Sequence, residues 1–209
     1  MQISASEALC LDLSKGIHAA AQPLAILRAS LDSIHTDGMS VGELRELVAS
    51  STMEVERVCK LFSFLQQLVS AVSVKPELSE TPILPLLARV TNGVELLFVS
   101  DGMFLRSIAS DAFPPVLINP ARTLQALSSV LLVAHALSHP QDTIELITSS
   151  PCSNTVRVVV QNVHALVDAV NAEQSLNMAL AEANIRSQQA SLSWSLQPFS
   201  VQIELKCAA

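Results

Sequence analysis

The sequence has few aromatic residues and an excess of acidic ones. It contains no tyrosine, one tryptophan and six phenylalanines, so aromatic residues make up 3% of its 209 residues. Its 12 lysines and arginines are outnumbered by 19 aspartates and glutamates, which gives a formal net charge of -7. Nucleic-acid binding usually requires a basic patch or an aromatic stacking surface. We therefore expect no nucleic-acid partner.

Glycine is also scarce. The chain has five glycines, and none lies beyond position 102. Glycine-rich loops allow backbone N–H groups to approach phosphates closely, because glycine has no side chain. The second half of the chain therefore lacks a phosphate-binding loop of this kind.

The four cysteines are far apart in the sequence, at Cys10, Cys59, Cys152 and Cys207. They form no Cys-x-x-Cys pair, and no histidine follows them at the spacing of a zinc ligand. The sequence therefore predicts neither a metal site nor a disulfide framework, and we expect free, mostly buried thiols.

Apolar residues make up 50% of the chain, and its mean hydropathy is +0.43. No run approaches the roughly eighteen apolar residues of a membrane span. The N-terminus lacks the basic segment and apolar core of a signal peptide. We expect a cytoplasmic protein without a membrane partner, and the apolar excess favours an oligomer that buries one face in a partner subunit.

The first part of the chain carries a heptad pattern, in which apolar residues alternate at spacings of three and four. These residues are Cys10, Leu13, Ile17, Ala20, Leu24, Leu27, Leu31 and Ile34. The pattern predicts a helix over residues 6–35. His18 directly follows Ile17, so we expect its imidazole beside the packing seam, in contact with water.

A second helix is predicted after a turn at residues 35–38. The Ser40–Glu43 segment has the sequence of a capping box, and the heptad pattern then continues to Val72. Leu47, Leu61 and Leu68 add a further apolar stripe beside the seam. A stripe this wide requires more than one partner helix, so we expect two hairpins to pair into a dimeric four-helix bundle.

Proline-rich residues 75–82 interrupt the periodicity and predict a linker between a helical domain, residues 1–74, and a mixed domain, residues 83–209. The patterns in the mixed domain predict alternating helices and strands. The expected helices are 83–99, 120–139 and 167–188, and the expected strands are 103–109, 143–149, 155–161, 191–196 and 200–206.

The segment from Ile17 to Leu24 resembles the H-box of two-component sensor histidine kinases. In that family a phospho-accepting histidine is followed at the fifth and sixth positions by Pro-Leu, which here are His18, Pro23 and Leu24. The order of elements in the second half is similar to the family's ATP-binding domain. The resemblance implies an α+β protein with an N-terminal helical hairpin, forming a dimeric four-helix bundle, and an α/β sandwich like the histidine kinase ATPase domain.

The nucleotide motifs of that family are degenerate in this chain. Asn119–Arg122 resembles the entry to the N-box helix, but its two asparagine positions fall on Ser129 and Val133. The family's Asp-x-Gly-x-Gly motif is replaced by Asn162–Ala165, and its Gly-x-Gly lid motif by Asn177–Leu180. The resemblance therefore implies that ATP is not bound in the family's way, and we expect no cofactor.

His18 is the residue for which a reaction can be argued. A neutral imidazole nitrogen is a nucleophile toward phosphorus at physiological pH. The acidic residue that follows the histidine in the family is replaced by Ala19, so a receiver aspartyl phosphate, with its own magnesium, is a better donor than ATP. Gln22 is a candidate for orienting water or the phosphoryl group, and Ala21, Gln22 and Ala25 are candidates for docking the receiver.

These features predict a histidine phosphotransferase that passes phosphoryl groups between response-regulator receiver domains. The alternative is a catalytically inactive adaptor that dimerises and binds a receiver or a histidine kinase, with His18 chemically idle. An active ATP-dependent kinase is the least favoured of the three.

Two other features have simpler explanations. His135 and His139 are spaced like metal ligands on a helix, but no third ligand is evident, and the helix dipole favours histidines at this end. We therefore expect no metal there. Trp194 alternates with small polar residues and is expected to be a strand residue that packs in the core.

Overall fold

The computed structural model describes residues 5–34, 40–109, 112–165 and 169–208. Contacts divide the chain into two compact units, Met1–Val69 and Ser70–Ala209. We call them the hairpin unit and the α/β unit. The expected fold class, N-terminal helices followed by an α/β sandwich, is confirmed.

The hairpin unit consists of helix α1, Ala5–Ile34, and most of helix α2, Val41–Ser73. The capping box at the start of α2 is present: the Ser40 N–H donates to Glu43 Oε2 at 2.7 Å, and the Glu43 N–H donates to Ser40 Oγ at 3.3 Å. The Ser40 N–H lowers the pKa of the Glu43 carboxyl below its usual value. The two reciprocal bonds satisfy backbone donors that the first turn would otherwise leave free.

Both helices have one buried face. On α1 it contains the small or compact residues Gly16, Ala20 and Pro23. On α2 it contains Leu61, Leu65 and Leu68. These spacings of three, four and seven are those of a single helical face, so each set forms one buried stripe on its own helix.

The described residues of the α/β unit form three further helices and seven strands. The helices are α3, Ile83–Ser100; α4, Pro120–Ala136; and α5, Ala172–Arg186. The strands are β1, Ser79–Thr81; β2, Phe104–Ala109; β3, Val116–Ile118; β4, Thr143–Cys152; β5, Thr155–Asn162; β6, Ser191–Leu196; and β7, Phe199–Lys206. Five strands form one sheet in the order β2-β4-β5-β7-β6, with β2 parallel to β4 and the other pairs antiparallel.

One face of this sheet forms the core with the helices. Alternate residues of β5 and β7 are buried, and those between them are half-buried. Helix α3 is long and apolar enough to span a membrane by length and composition alone. Five of its residues, Ile83, Leu86, Leu87, Val90 and Phe98, are instead buried in the same core. The helix therefore packs as part of the α/β unit.

The predicted helices and strands are observed with small shifts at their ends. Helix α4 ends at Ala136, before the predicted end at His139. The Pro140 ring disfavours helical geometry in His139, so the helix cannot continue to that residue. Helix α5 begins at Ala172, and residues 166–168 lie outside the described part of the chain. The three-residue strands β1 and β3, which pair with each other, were not predicted because they are too short to show a period.

Two predictions about burial are wrong. Trp194 lies in the expected strand, but its side chain is 39% exposed because β6 is an edge strand. Cys59 and Cys152 are free and exposed, whereas Cys207 is half-buried. A sequence pattern identifies a strand, but only the sheet order shows which strand lies at an edge.

Two adjacent leucines on α4 test the core. Leu131 is 0% exposed and Leu132 is 40% exposed. We expect Leu131→Ala to lower the free energy of unfolding by about 2 to 5 kcal/mol, since it leaves a cavity in the core. Leu132→Ala is the matched control and should cost less than about 1 kcal/mol. Urea unfolding of both variants measures the difference, and equal losses would contradict this core assignment.

Candidate functional site

The side chain of His18 is exposed on α1. Successive residues of a helix are rotated by about 100°, so His18 and Ala25 lie on the face opposite the buried stripe of Gly16, Ala20 and Pro23. Among the described residues, no hydrogen bond or ion pair engages the imidazole. Both ring nitrogens are therefore accessible to a reactant that approaches α1 from outside the hairpin.

The surface around His18 is made of small side chains. Ala21, Gln22 and Ala25 are all exposed, while Ala19 is half-buried. Gln22 lies one helical turn after His18, so its amide is on the same side of the helix. His18, Ala21, Gln22 and Ala25 thus share one exposed surface of α1.

A second face of the hairpin unit is apolar and exposed. On α1 it contains Ile17, Leu24 and Leu31, and on α2 it contains Val48, Val55 and Phe62. The residues of each set are seven positions apart, and each set lies about a quarter turn from the buried stripe of its own helix. Because the two helices of a hairpin run antiparallel, both sets face the same side. We call these six residues the apolar face.

In the α/β unit, the entry to α4 has the expected cap. Asn119 Oδ1 accepts a hydrogen bond from the Arg122 N–H at 3.0 Å, and Pro120 occupies the first turn. Farther along this helix, Ser129 is 5% exposed and Val133 is 1% exposed. The two positions where the resemblance would place magnesium-site asparagines are therefore buried and carry no amide.

Asn162 ends strand β5 and is completely buried. Its Nδ2 donates to Ser138 Oγ at 2.7 Å and to Asp142 Oδ2 at 2.9 Å, and its Oδ1 accepts from the His164 N–H at 3.0 Å. Both amide protons are thus used within the protein. An aspartate at this position could not donate to Asp142 and would place two carboxylates in contact, so an amide is required here.

The Asp142 carboxylate depends on the same contacts. It accepts the N–H of His139 at 2.9 Å as well as the Asn162 amide. These hydrogen bonds, led by the one from His139, lower the pKa of Asp142 below its usual value, and the nearby His139 and His164 add to the effect. Partial burial opposes it. The loop between α4 and β4 is therefore held to the end of β5 by an ionised side chain.

The predicted lid position is helical. Residues Asn177–Leu180 lie inside α5, and Met178 and Leu180 are each 1% exposed. Asn177 Nδ2 donates to the Glu173 carbonyl at 3.1 Å, and its buried Oδ1 has no partner among the described residues. A packed helix therefore stands where the resemblance would place a glycine-rich lid.

His135 and His139, which are spaced like metal ligands in the sequence, lie in different surroundings. The Nε2 of His135 lies 3.0 Å from Asp101 Oδ2, and its ring meets Phe98 edge-on with 5.0 Å between centroids. His139 lies beyond the end of α4. The described part of the chain contains no group of three or more His, Cys, Asp or Glu side chains placed to hold a metal ion.

No protein-family model and no curated protein sequence matches the chain. Solved structures do match it. The Acinetobacter baumannii histidine kinase AdeS is 16% identical with a TM-score of 0.68, and the match covers 91% of this chain and 97% of that one. A histidine kinase from Burkholderia phymatum is 13% identical with a TM-score of 0.56, over 93% of this chain and 98% of that one.

The histidine kinase ThkA, solved in complex with the response regulator protein TrrA, is 12% identical with a TM-score of 0.71. That match covers 94% of this chain and 61% of the ThkA chain. At these identities the likeness establishes the fold. The chain has a histidine kinase-like fold that includes both the helical hairpin and the α/β sandwich.

The contacts of Asp142 predict a pH dependence of stability. A carboxyl whose pKa is lower in the folded state adds stability above its unfolded pKa, and this contribution is lost as the pH falls through the folded pKa. We expect Asp142→Asn to lower the melting temperature at about pH 7 and to have progressively less effect as the pH falls from about 3.9 through the lowered pKa of folded wild type, because wild type then becomes protonated as well. Thermal unfolding of both proteins across this range measures the difference, and a constant difference would contradict it.

Proposed function

We propose that this chain is a histidine phosphotransferase of a two-component phosphorelay, which transfers phosphoryl groups between response-regulator receiver domains through His18 without binding ATP. The observation that carries the proposal is the exposed imidazole of His18, which bonds to none of the described residues and lies on an outward surface of small residues. The histidine kinase-like fold supports it, since the equivalent hairpin in the resembling family carries the phospho-accepting histidine.

The nucleophilic nitrogen of His18 is the main group that this chain contributes to the reaction. The unprotonated nitrogen of His18 attacks the phosphorus of a receiver aspartyl phosphate, an N–P bond forms, and the aspartate carboxylate leaves as the P–O bond breaks. The receiver contributes the magnesium ion and the acidic pocket. Catalysis is then mainly positioning and electrostatic stabilisation, and reversal of the same step phosphorylates the next receiver.

The surface at Ala21, Gln22 and Ala25 is the proposed docking site for the receiver. Small side chains allow a partner helix to lie close to α1, which brings the aspartyl phosphate within reach of His18. The Gln22 amide is placed to orient the phosphoryl group or a water molecule. The complex of ThkA with a response regulator supports a receiver as the partner, because ThkA has the same fold.

The α/β unit supports the absence of ATP binding. Asn162 supplies no carboxylate to an adenine amino group, and its buried Oδ1 already accepts the His164 N–H. Ser129 and Val133 are buried and supply no amide to a magnesium ion. The receiver is then the source of phosphate, and receiver domains imply a cytoplasmic location.

A second copy of the chain is the proposed partner of the apolar face. Phe62 is 50% exposed and Ile17 is 63% exposed, although both continue the heptad pattern. Two hairpins that pair through this face form a four-helix bundle and remove it from water. His18 faces away from the buried stripe, so pairing leaves it accessible.

The alternative function is a catalytically inactive adaptor that dimerises and binds a receiver or a histidine kinase. Ala19 favours it, since the acidic residue that helps activate the histidine in kinases is missing. The two functions share the same surfaces and differ in whether His18 becomes phosphorylated.

Phosphoryl transfer to His18 can be measured directly. Wild type mixed with a receiver that carries a labelled aspartyl phosphate should become labelled, and the label should be labile in acid and stable in base, as expected for a phosphohistidine. We expect His18→Ala to reduce labelling to background because it removes the nucleophile.

His139→Ala is the matched control, because it removes an exposed histidine of the α/β unit and should leave labelling unchanged. Wild type incubated with labelled magnesium-ATP alone should stay unlabelled. Equal labelling of His18→Ala and wild type would rule out this phosphotransferase, and an unlabelled wild type that still binds the receiver would establish the adaptor.

The apolar face gives a second test. We expect Val55→Asp to convert a dimer into a monomer, since it places a carboxylate in the apolar contact of each copy. Met53→Asp is the matched control, because Met53 is 66% exposed and lies on the opposite flank of α2. Light scattering coupled to size exclusion measures the mass. A Val55→Asp variant that remains dimeric would show that the copies pair through another surface.

A further inference from the structure

Helix α2 ends without a cap from its own sequence. The last turn of a helix leaves backbone carbonyls without intrahelical donors, and a basic residue nearby usually satisfies some of them. The last turn of α2 contains no basic residue. The Ser70 carbonyl accepts the Val74 N–H at 3.1 Å, and the carbonyls that follow it are available to donors from elsewhere in the chain.

Arg122 supplies these donors from the first turn of α4. Its Nη1 donates to the Ala71 carbonyl at 2.9 Å, and its Nη2 donates to the Val74 carbonyl at 2.7 Å and the Ser70 carbonyl at 3.4 Å. All of these residues belong to the α/β unit. One guanidinium thus caps the C-terminal end of α2, where the helix dipole also favours a positive charge.

The position of the guanidinium is determined by α4 and α5. The backbone N–H of Arg122 donates to the Asn119 cap, and its Nη1 donates to Ser187 Oγ at 2.9 Å. Ser187 Oγ in turn donates to the Asn184 carbonyl at 2.8 Å. These contacts with α4 and α5 therefore hold the Arg122 guanidinium in position beside the end of α2.

The next residues of the chain are fixed independently of Arg122. Asn119 Nδ2 donates to the Glu77 carbonyl at 2.9 Å, and strand β1 pairs with β3 from Ser79 onward. The segment Ser70–Val74 lies between these anchors and the body of α2. The Arg122 guanidinium donates to three of the carbonyls of this segment.

The Arg122 guanidinium is held by hydrogen bonds to uncharged groups. All acceptors of the guanidinium are carbonyls or a hydroxyl, and no described carboxylate lies within ion-pairing distance of it. Arg122 is also only half-buried. Water can replace each of these hydrogen bonds at modest cost, so the cap can open without unfolding the α/β unit.

We propose that Arg122 is a releasable clasp that determines where helix α2 ends. While the guanidinium holds the three carbonyls, α2 continues to Ser73. When it is withdrawn, the last turn unwinds back to about Val69. A helical residue spans about 1.5 Å and an extended one about 3.4 Å, so unwinding four residues lengthens the connection to Glu77 by up to about 8 Å. The clasp therefore sets the length of chain between the hairpin unit and strand β1.

Hydrogen exchange of the full chain, followed by mass spectrometry, tests the clasp. In Arg122→Met, we expect amides of residues 70–76 to exchange about tenfold faster or more, because bonds to a charged donor are lost. Amides of residues 54–66 in the same helix and those of β5 should keep their wild-type rates. Arg122→Lys should give an intermediate rate, since one ammonium cannot reach all three carbonyls.

Arg186→Met is the matched control, because Arg186 pairs on the surface of α5 with Glu182, and the rates at residues 70–76 should not change. Unchanged exchange at residues 70–76 in Arg122→Met would overturn the proposal. So would an equal increase throughout the α/β unit, which would make Arg122 a general stabilising residue. If Arg122→Met does not fold, a wild-type rate in Arg122→Lys would overturn it as well.

Discussion

The end of the central strand β5 depends on one buried amide. Asn162 joins three segments of the α/β unit, because its side chain bonds Ser138 after α4, Asp142 before β4 and the backbone of His164 after β5. A buried amide with its protons left unpaired would cost more than these bonds contribute, so the surrounding loops are arranged to satisfy it. The end of β5 and the loops on either side of it are therefore held together by one side chain.

The three faces of helix α1 have different surroundings. The stripe of Gly16, Ala20 and Pro23 is buried, the flank of Ile17 and Leu24 is apolar and exposed, and the outward side carries His18. A helix can separate these roles because residues three and four apart share a face while adjacent residues do not. Under the proposed function, folding, pairing and chemistry therefore occur on one helix without competing for the same side chains.

Much of the secondary structure could be predicted because its signals are local. The capping box at Ser40, the Asn119 cap and the alternation in β5 each lie within a few neighbouring residues, and each is observed. Trp194 was misjudged because an alternating pattern is the same in an edge strand and a central one. Strands β1 and β3 were missed because three residues do not define a period. The exposure of His18 agrees with its heptad position, but the heptad could not show that none of the described side chains bonds to it.

The sequence by itself determined the two long helices, the five strands of the larger sheet and the His-Pro-Leu spacing that makes His18 a candidate, because all of these are encoded in periodicity and neighbouring residues. Only the tertiary structure decided the roles of Arg122 and Asn162. Arg122 caps carbonyls about fifty positions earlier in the chain. Asn162 donates to Ser138 and Asp142, which lie 24 and 20 positions earlier. Such hydrogen bonds depend on which segments folding brings together, and a linear pattern does not contain that information.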